Sequence, residues 1–169
     1  VCEQYGFDAL SQIDVYLTYY HKDKLKDPVH LTLVNPRGGG QPAARPPIAY
    51  PAVFEGEYCI IRYVGWSTTY YSDADVLLLE CENISDKYLS VYQMYDYMLL
   101  DGQRVPAAMS NANVFPHSVT TMALFADDSA YADLSGFTTA ETSLGVYEIR
   151  SGYHNLLESA GKVSLDIRP

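Results

Sequence analysis

Val76-Leu-Leu-Leu-Glu-Cys-Glu-Asn83, followed directly by Ile-Ser-Asp-Lys87, decides the fold class of this 169-residue chain. Successive side chains on a strand point to opposite faces. Leu77, Leu79 and Cys81 therefore share one face, and Val76, Leu78, Glu80 and Glu82 the other, which makes the acidic side the expected wet one at that end. Residues 83–87 then turn the chain, because Asn, Ser and Asp side chains bond their own backbone. Outward from this segment, residues 58–64, 88–100, 117–125, 144–150 and 163–167 are also rich in aromatic and β-branched residues, with turn chemistry between them. Asp101-Gly102 closes a hairpin. Only residues 127–134 look helical: Asp127, Asp128 and Ser129 suit the positive amino end and Gly136 the stop. Six strands and one short helix imply an all-β sandwich.

The chain divides unequally. Between Pro36 and Pro51 lie five of the nine prolines and the run Gly38, Gly39, Gly40, so residues 37–52 read as a linker. No Lys-Ser/Thr follows the triple glycine, which argues against a phosphate cradle. Residues 1–52 hold five basic and five acidic residues, whereas 53–169 hold six and sixteen, so the whole net charge of −10 belongs to the second part. A chain this acidic lacks the basic field that retains phosphate backbones, and nucleic acid is excluded as an expected partner. No apolar run approaches the roughly 20 residues of a membrane-spanning helix. The chain opens on Val1 without a basic-then-apolar leader, so the expectation is a segment whose targeting signal or lipid anchor lies upstream.

Residues 1–36 echo the tail of the second part. Gly6-Phe7 matches Gly136-Phe137, Val15-Tyr16 matches Val146-Tyr147, Tyr20-His21 matches Tyr153-His154, and Val29, Leu31, Leu33 match Val163, Leu165, Ile167. Repeats tolerate the small differences in spacing within loops. The reading is that residues 1–36 form a β-hairpin equivalent to the last strands of a preceding copy of the domain. A hairpin alone is marginal in water, so it is expected to dock on its own sandwich or to build a homo-oligomer through another chain.

Residues 53–169 resemble immunoglobulin-like domains of unknown function found in secreted or lipid-anchored proteins of Gram-positive gut bacteria, similar in architecture to the mycobacterial immunoprotective secreted antigen. The residues that carry the likeness are Val-Phe-Glu-Gly-Glu-Tyr (53–58), a strand ending at Gly65, the turn at 83–87, Leu100-Asp-Gly102, the strand that starts at Pro116-His-Ser118 and ends at Leu124-Phe125, and a short acidic helix leading to Gly136-Phe137. The resemblance implies an immunoglobulin-like β-sandwich, preceded here by the extra hairpin, that serves outside the cytoplasm as an interaction or structural module. It brings no catalytic residues with it. The chain departs from the pattern at His117, where a glycine usually follows the proline.

The search for chemistry yields little. Three cysteines are too few for a disulfide scaffold and form no Cys-x-x-Cys. Cys59 and Cys81 fall opposite each other if residues 58–64 and 76–83 form a hairpin. They are then either two buried thiols or a bridge whose loop of about 22 residues contributes about 3 kcal/mol. Cys2 has a residue before it and lies within the echoed segment, so it is not read as a lipidation site. His21, His30, His117 and His154 show no metal-ligand spacing, and two of them recur after a tyrosine, which suggests a structural tyrosine–histidine contact. No Gly-x-Ser-x-Gly elbow is present. Glu55, Glu57, Glu80, Glu82, Asp127 and Asp128 read as solvated carboxylates, and Asp127, Asp128 and Asp133 lack the alternating calcium-loop pattern. Asn83-Ile84-Ser85 fits a glycosylation acceptor but also serves the turn. No catalytic residue, metal or cofactor is expected. Sixteen tyrosines suit strands, and Tyr88, Tyr92, Tyr95 and Tyr97 are assigned to core and rim. The candidate ligand-binding residues are Trp66, Tyr70 and Tyr71, aromatics among hydroxyl side chains between two strands, where they could stack on sugar rings or anchor a protein. The expectation is a non-catalytic, extracellular or cell-surface module whose partner is a protein or, alternatively, a glycan.

Overall fold

The structure is a computed structural model that describes residues 12–17, 20–21, 24–25, 29–34, 50–68, 74–110, 112–150 and 153–168. The chain forms two compact units, residues 1–49 and residues 50–169. In the first, β1 (Gln12–Leu17) pairs antiparallel with β4 (Val29–Val34), and β2 (Tyr20–His21) pairs with β3 (Lys24–Leu25). Leu17, Val29, Leu31 and Leu33 are exposed on this hairpin.

The second unit is all-β and antiparallel throughout the described residues, with one 3-10 turn. Its strands are β5 (Ala52–Glu55), β6 (Cys59–Thr68), β7 (Asp75–Asn83), β8 (Leu89–Gln93), β9 (Tyr97–Leu100), β10 (Gln103–Met109), β11 (Ala112–Val114), β12 (Val119–Ala126), β13 (Thr139–Arg150) and β14 (Tyr153–Asp166). The hydrogen-bonded order is β11-β8-β13-β9-β10-β12-β7-β6-β5, with β14 on the other edge of β13. Two ladders meet in β10: residues 103–106 pair with β9, and residues 107–109 pair with β12. Pro106 stands at the changeover, where a missing N–H interrupts no continuous ladder. The sheet folds over on itself, and Ile61, Leu77, Leu79 and Leu124 from one half share a core with Leu89, Met98, Leu144 and Leu165 from the other.

The alternation expected in β7 is observed from Leu77 onward, with Leu77, Leu79 and Cys81 fully buried and Leu78, Glu80 and Glu82 only partly covered, whereas Val76, assigned to the outer face, is buried as well. Residues 88–100 are not one strand. Gln93 pairs with Leu144 and Leu99 with Glu141, so six residues on one side span three on β13. Three residues too many for the ladder leave it at 94–96, which divides the stretch into β8 and β9. Three strands were not anticipated, β5, β10 and β11, of which two have at most four residues and the third contains a proline. β14 starts ten residues before the expected 163–167, because two register shifts, one of them beside Gly161 in the left-handed region (φ +57°), keep it in pairing with β13.

The helix expected at 127–134 is a single 3-10 turn, Ser129–Tyr131, capped by the Asp128 carboxylate accepting from the Ala130 N–H at 2.9 Å. The rest of that segment directs its backbone groups to β7. Leu134 N–H donates to the Asp75 carboxylate at 2.9 Å, and the Asp75 N–H donates to the Ala132 carbonyl at 2.7 Å. Leu134 itself is fully buried.

Turns supply much of the definition. Asp101 and Gly102 both adopt positive φ (+45° and +83°), the conformation that makes Asp-Gly a tight hairpin turn. The Asp101 carboxylate also accepts hydrogen bonds from the N–H and hydroxyl groups of Thr138 and Thr139, which ties the β9–β10 turn to the start of β13. His117 occupies the left-handed region (φ +53°), the conformation for which glycine is favoured. Between β5 and β6, the Glu158 carboxylate of β14 accepts from the N–H groups of Glu57 and Tyr58. A Cβ on Gly56 would come within 2.3 Å of that carboxylate, which would have to shift to admit it.

Asn83 is 1% exposed and fully satisfied. Its amide nitrogen donates to the carbonyls of Lys87, Val114 and Phe115 at 2.7 to 3.0 Å, and its oxygen accepts from the Ser85 N–H and hydroxyl. The side chain is therefore the hub of the turn, not an available glycosylation acceptor. Asn83→Ala strands several buried backbone groups, and a loss of about 3 kcal/mol is expected in a urea unfolding titration.

Hydrogen bonds from Thr138 and Thr139 hold the Asp101 carboxyl below its ordinary range, and Arg168 holds that of Asp166 down to about 2. Carboxylates depressed in the folded state stabilise it above their unfolded value, and that contribution is lost as pH falls through the folded value. Stability should therefore decline between about pH 4 and pH 2. Asp101→Asn should make that decline shallower when unfolding is followed by circular dichroism.

Candidate functional site

The departure of residues 94–96 from the sheet creates a groove of about 380 Å³ on the outer face of β13. Tyr95, Tyr97 and Leu99 form one wall, and Glu141, Ser143, Gly161 and Lys162 lie across from them. Local bonds fix the excursion. Met94 N–H donates to the Ser143 carbonyl at 2.8 Å, the Gln93 side-chain amide donates to the Tyr97 carbonyl at 2.8 Å, and the Ala107 N–H donates to the Asp96 carbonyl at 3.0 Å.

The two tyrosines stack, with ring centroids 5.5 Å apart and planes 23° from parallel. The Arg104 guanidinium lies 4.0 Å from the Tyr97 centroid and 3.6 Å from the Asp96 carboxylate, so a cation–π contact and an ion pair back the wall. Tyr97 is half-buried, while Tyr95 is 54% exposed and offers the more open ring. On the opposite side Lys162 Nζ sits 2.7 Å from the Glu141 carboxylate, which neutralises both.

A second aromatic group continues along the same face. Glu141, Ser143, Gly145 and Tyr147 alternate outward on β13, and Tyr92 pairs directly opposite Gly145. The Tyr92 and Tyr147 rings meet edge-on at 5.4 Å, and the Tyr92 hydroxyl lies 3.1 Å from His154 Nδ1. This is a tyrosine–histidine contact, but it involves Tyr92 and not the neighbouring Tyr153. Between the two groups the Met94 sulfur accepts from the Ser159 hydroxyl at 3.1 Å.

Trp66, singled out from the sequence, does not line this groove. Trp66 is in β6, directly opposite Leu77, and packs half-buried against the core, because β6 continues past a bulge at Gly65 (φ +140°). Tyr70 and Tyr71 lie outside the described residues. Cys59 pairs with Asn83, and Cys81 with Ile61, so the two cysteines are diagonal neighbours rather than opposite each other. Both are buried free thiols. A hydrogen bond with Cys59, reinforced by burial, pushes the Cys81 thiol up, which suits a packed and unreactive pair. Among the described residues no cluster of three or more His, Cys, Asp or Glu is placed to hold a metal ion.

Of the four tyrosines assigned to core and rim, Tyr88 is buried and stacks on Phe115 at 4.8 Å, as assigned. Tyr95 and Tyr97 form the groove wall that sequence reasoning missed. The available signal was the length of the stretch, since 13 residues at 88–100 is long for one strand. No protein-family model, curated protein or solved structure matches the chain.

Beneath the groove, Thr142 is turned inward and its buried hydroxyl oxygen has no hydrogen-bond partner. An unmet buried hydroxyl is a cost that a methyl of similar shape removes. Thr142→Val is expected to raise the unfolding free energy by about 1 kcal/mol, measured by chemical denaturation.

Proposed function

We propose that residues 50–169 act as a non-catalytic interaction module with an immunoglobulin-like sandwich, working outside the cytoplasm and engaging its partner through the outer face of β13. The observation that carries this reading is the braced tyrosine wall. Stacked Tyr95 and Tyr97, held by Arg104, stand across an open groove from the neutralised Glu141–Lys162 pair. Rings fixed in advance lose little conformational freedom on binding, which is what recognition by rigid aromatic anchors requires. The sandwich assignment is supported by the two halves of the sheet sharing one core. The extracytoplasmic setting rests on the resemblance of the turn and strand sequence to secreted and lipid-anchored domains. The echo between the first hairpin and the β13–β14 region is the basis for reading residues 1–36 as part of a tandem repeat, and the exposed apolar residues of β4 give that hairpin a face through which chains could associate.

The test is a screen of the whole chain against a glycan array and a displayed random-peptide library. Ligands selected from either collection should lose at least tenfold in affinity with Tyr95→Ala and with Lys162→Ala, both substitutions at exposed side chains. Absence of any selectable ligand, or ligands that bind both variants as well as the parent, overturns the reading.

A further inference from the structure

We propose that the ligand of this face is a neutral carbohydrate chain lying along β13, with one sugar on Tyr95 and another on the Tyr92–Tyr147 pair. This rests on the interaction-module reading above and adds to it the ligand class and a second station.

Three observations select the class. First, β13 is paired with β14 along its length and on its other edge with β9 at 140–141 and β8 at 144–148, and in the gap between these the Ser143 carbonyl is already taken by the Met94 N–H. An extended peptide therefore finds no free backbone edge to join, and recognition has to come from side chains. Second, beside Leu99 those side chains are ring faces and hydroxyls: the tyrosines, and Ser143 and Ser159, which both donate to the Met94 sulfur and present their oxygens as acceptors. A pyranose presents C–H bonds on one face, which suit the negative face of an aromatic ring, and hydroxyls around its rim, which suit serine and tyrosine hydroxyls. Third, the charges bordering the groove are paired, Glu141 with Lys162 and Asp96 with Arg104. The acidity of residues 53–169 disfavours an anionic ligand, and the local pairing leaves no unpaired carboxylate bordering the groove to single out a cationic one.

The stations fix the length. Ser143 beside the first and Tyr147 at the second are four residues apart on one strand, about 13 Å at the usual rise. A disaccharide is accommodated at one station, and reaching both takes a longer chain. Gly145 lies between them, and the Tyr147 ring folds back over it; a Cβ at that position would come within 2.7 Å of the ring. The second station is thus held low against the strand, level with a chain lying flat.

The probes are soluble neutral oligosaccharides of two to six hexose or N-acetylhexosamine units from β-glucan, mannan and chitin series, titrated calorimetrically into the full chain. At least one series should bind, with affinity rising to about four units and then levelling. Tyr95→Ala should weaken every length at least tenfold, while Tyr95→Phe retains binding. Tyr147→Ala should reduce a four-unit chain to the affinity of a two-unit chain and leave the two-unit affinity unchanged, a signature that general loosening of the fold does not produce. No binding in any series, equal affinity at all lengths, or full binding by Tyr95→Ala overturns the assignment. If displayed peptides nevertheless bind in a Tyr95-dependent way, the carbohydrate assignment fails and the interaction-module reading stands.

Discussion

Everything on the outer face of the second unit depends on β13 being paired along both of its edges. β14 accompanies it from Thr139 to Arg150, while on the other side β9 takes residues 140–141 and β8 residues 144–148, with the Met94 N–H bound to the Ser143 carbonyl between them. A strand held in this way cannot bend toward a ligand, and its outward residues keep the spacing that the pleat imposes. The same arrangement creates the groove, because two strands arriving on one edge with three residues to spare must let those residues leave the sheet. The site is therefore a by-product of register, made permanent by bonds from Gln93, Met94 and Ala107.

The folded-over sheet adds a second constraint. β10 belongs to both ladders, so its pairing with β9 and with β12 fixes how one half lies over the other. Arg104, which backs the tyrosine wall, is in the part of β10 that pairs with β9. Its position is consequently tied to the closure of the core as much as to the groove. A core substitution that displaced β10 would be felt at Tyr97, and so in whatever Tyr95 holds.

What the sequence made legible was local. Leu77, Leu79 and Cys81 announce their strand by alternation, Asp101-Gly102 announces its turn, and the Asn83 turn is visible from its own side-chain chemistry. What stayed hidden was decided by partners distant in sequence. The break at 94–96 cannot be seen in Met-Tyr-Asp, because only the register against β13 shows that these residues have no place in the ladder. Tyr95 and Tyr88 are the same residue type in the same stretch, yet one is mostly exposed and the other is buried against Phe115. Trp66 stood out as a lone large aromatic near small hydroxyl residues, and the bulge at Gly65 carried it back into a strand. The Asp-rich segment at 127–133 has the right residues for a helix start, but β7 competes for its backbone groups through Asp75.

The Glu158 carboxylate, bound by the backbone N–H groups of Glu57 and Tyr58, joins the last strand of the second unit to the turn that follows its first strand. A tensile load transmitted along the polypeptide enters through β5 and leaves through β14, the two elements that this contact fastens. The fastening thus stands in the load path ahead of the core, and its two hydrogen bonds are among the first contacts that such a pull meets.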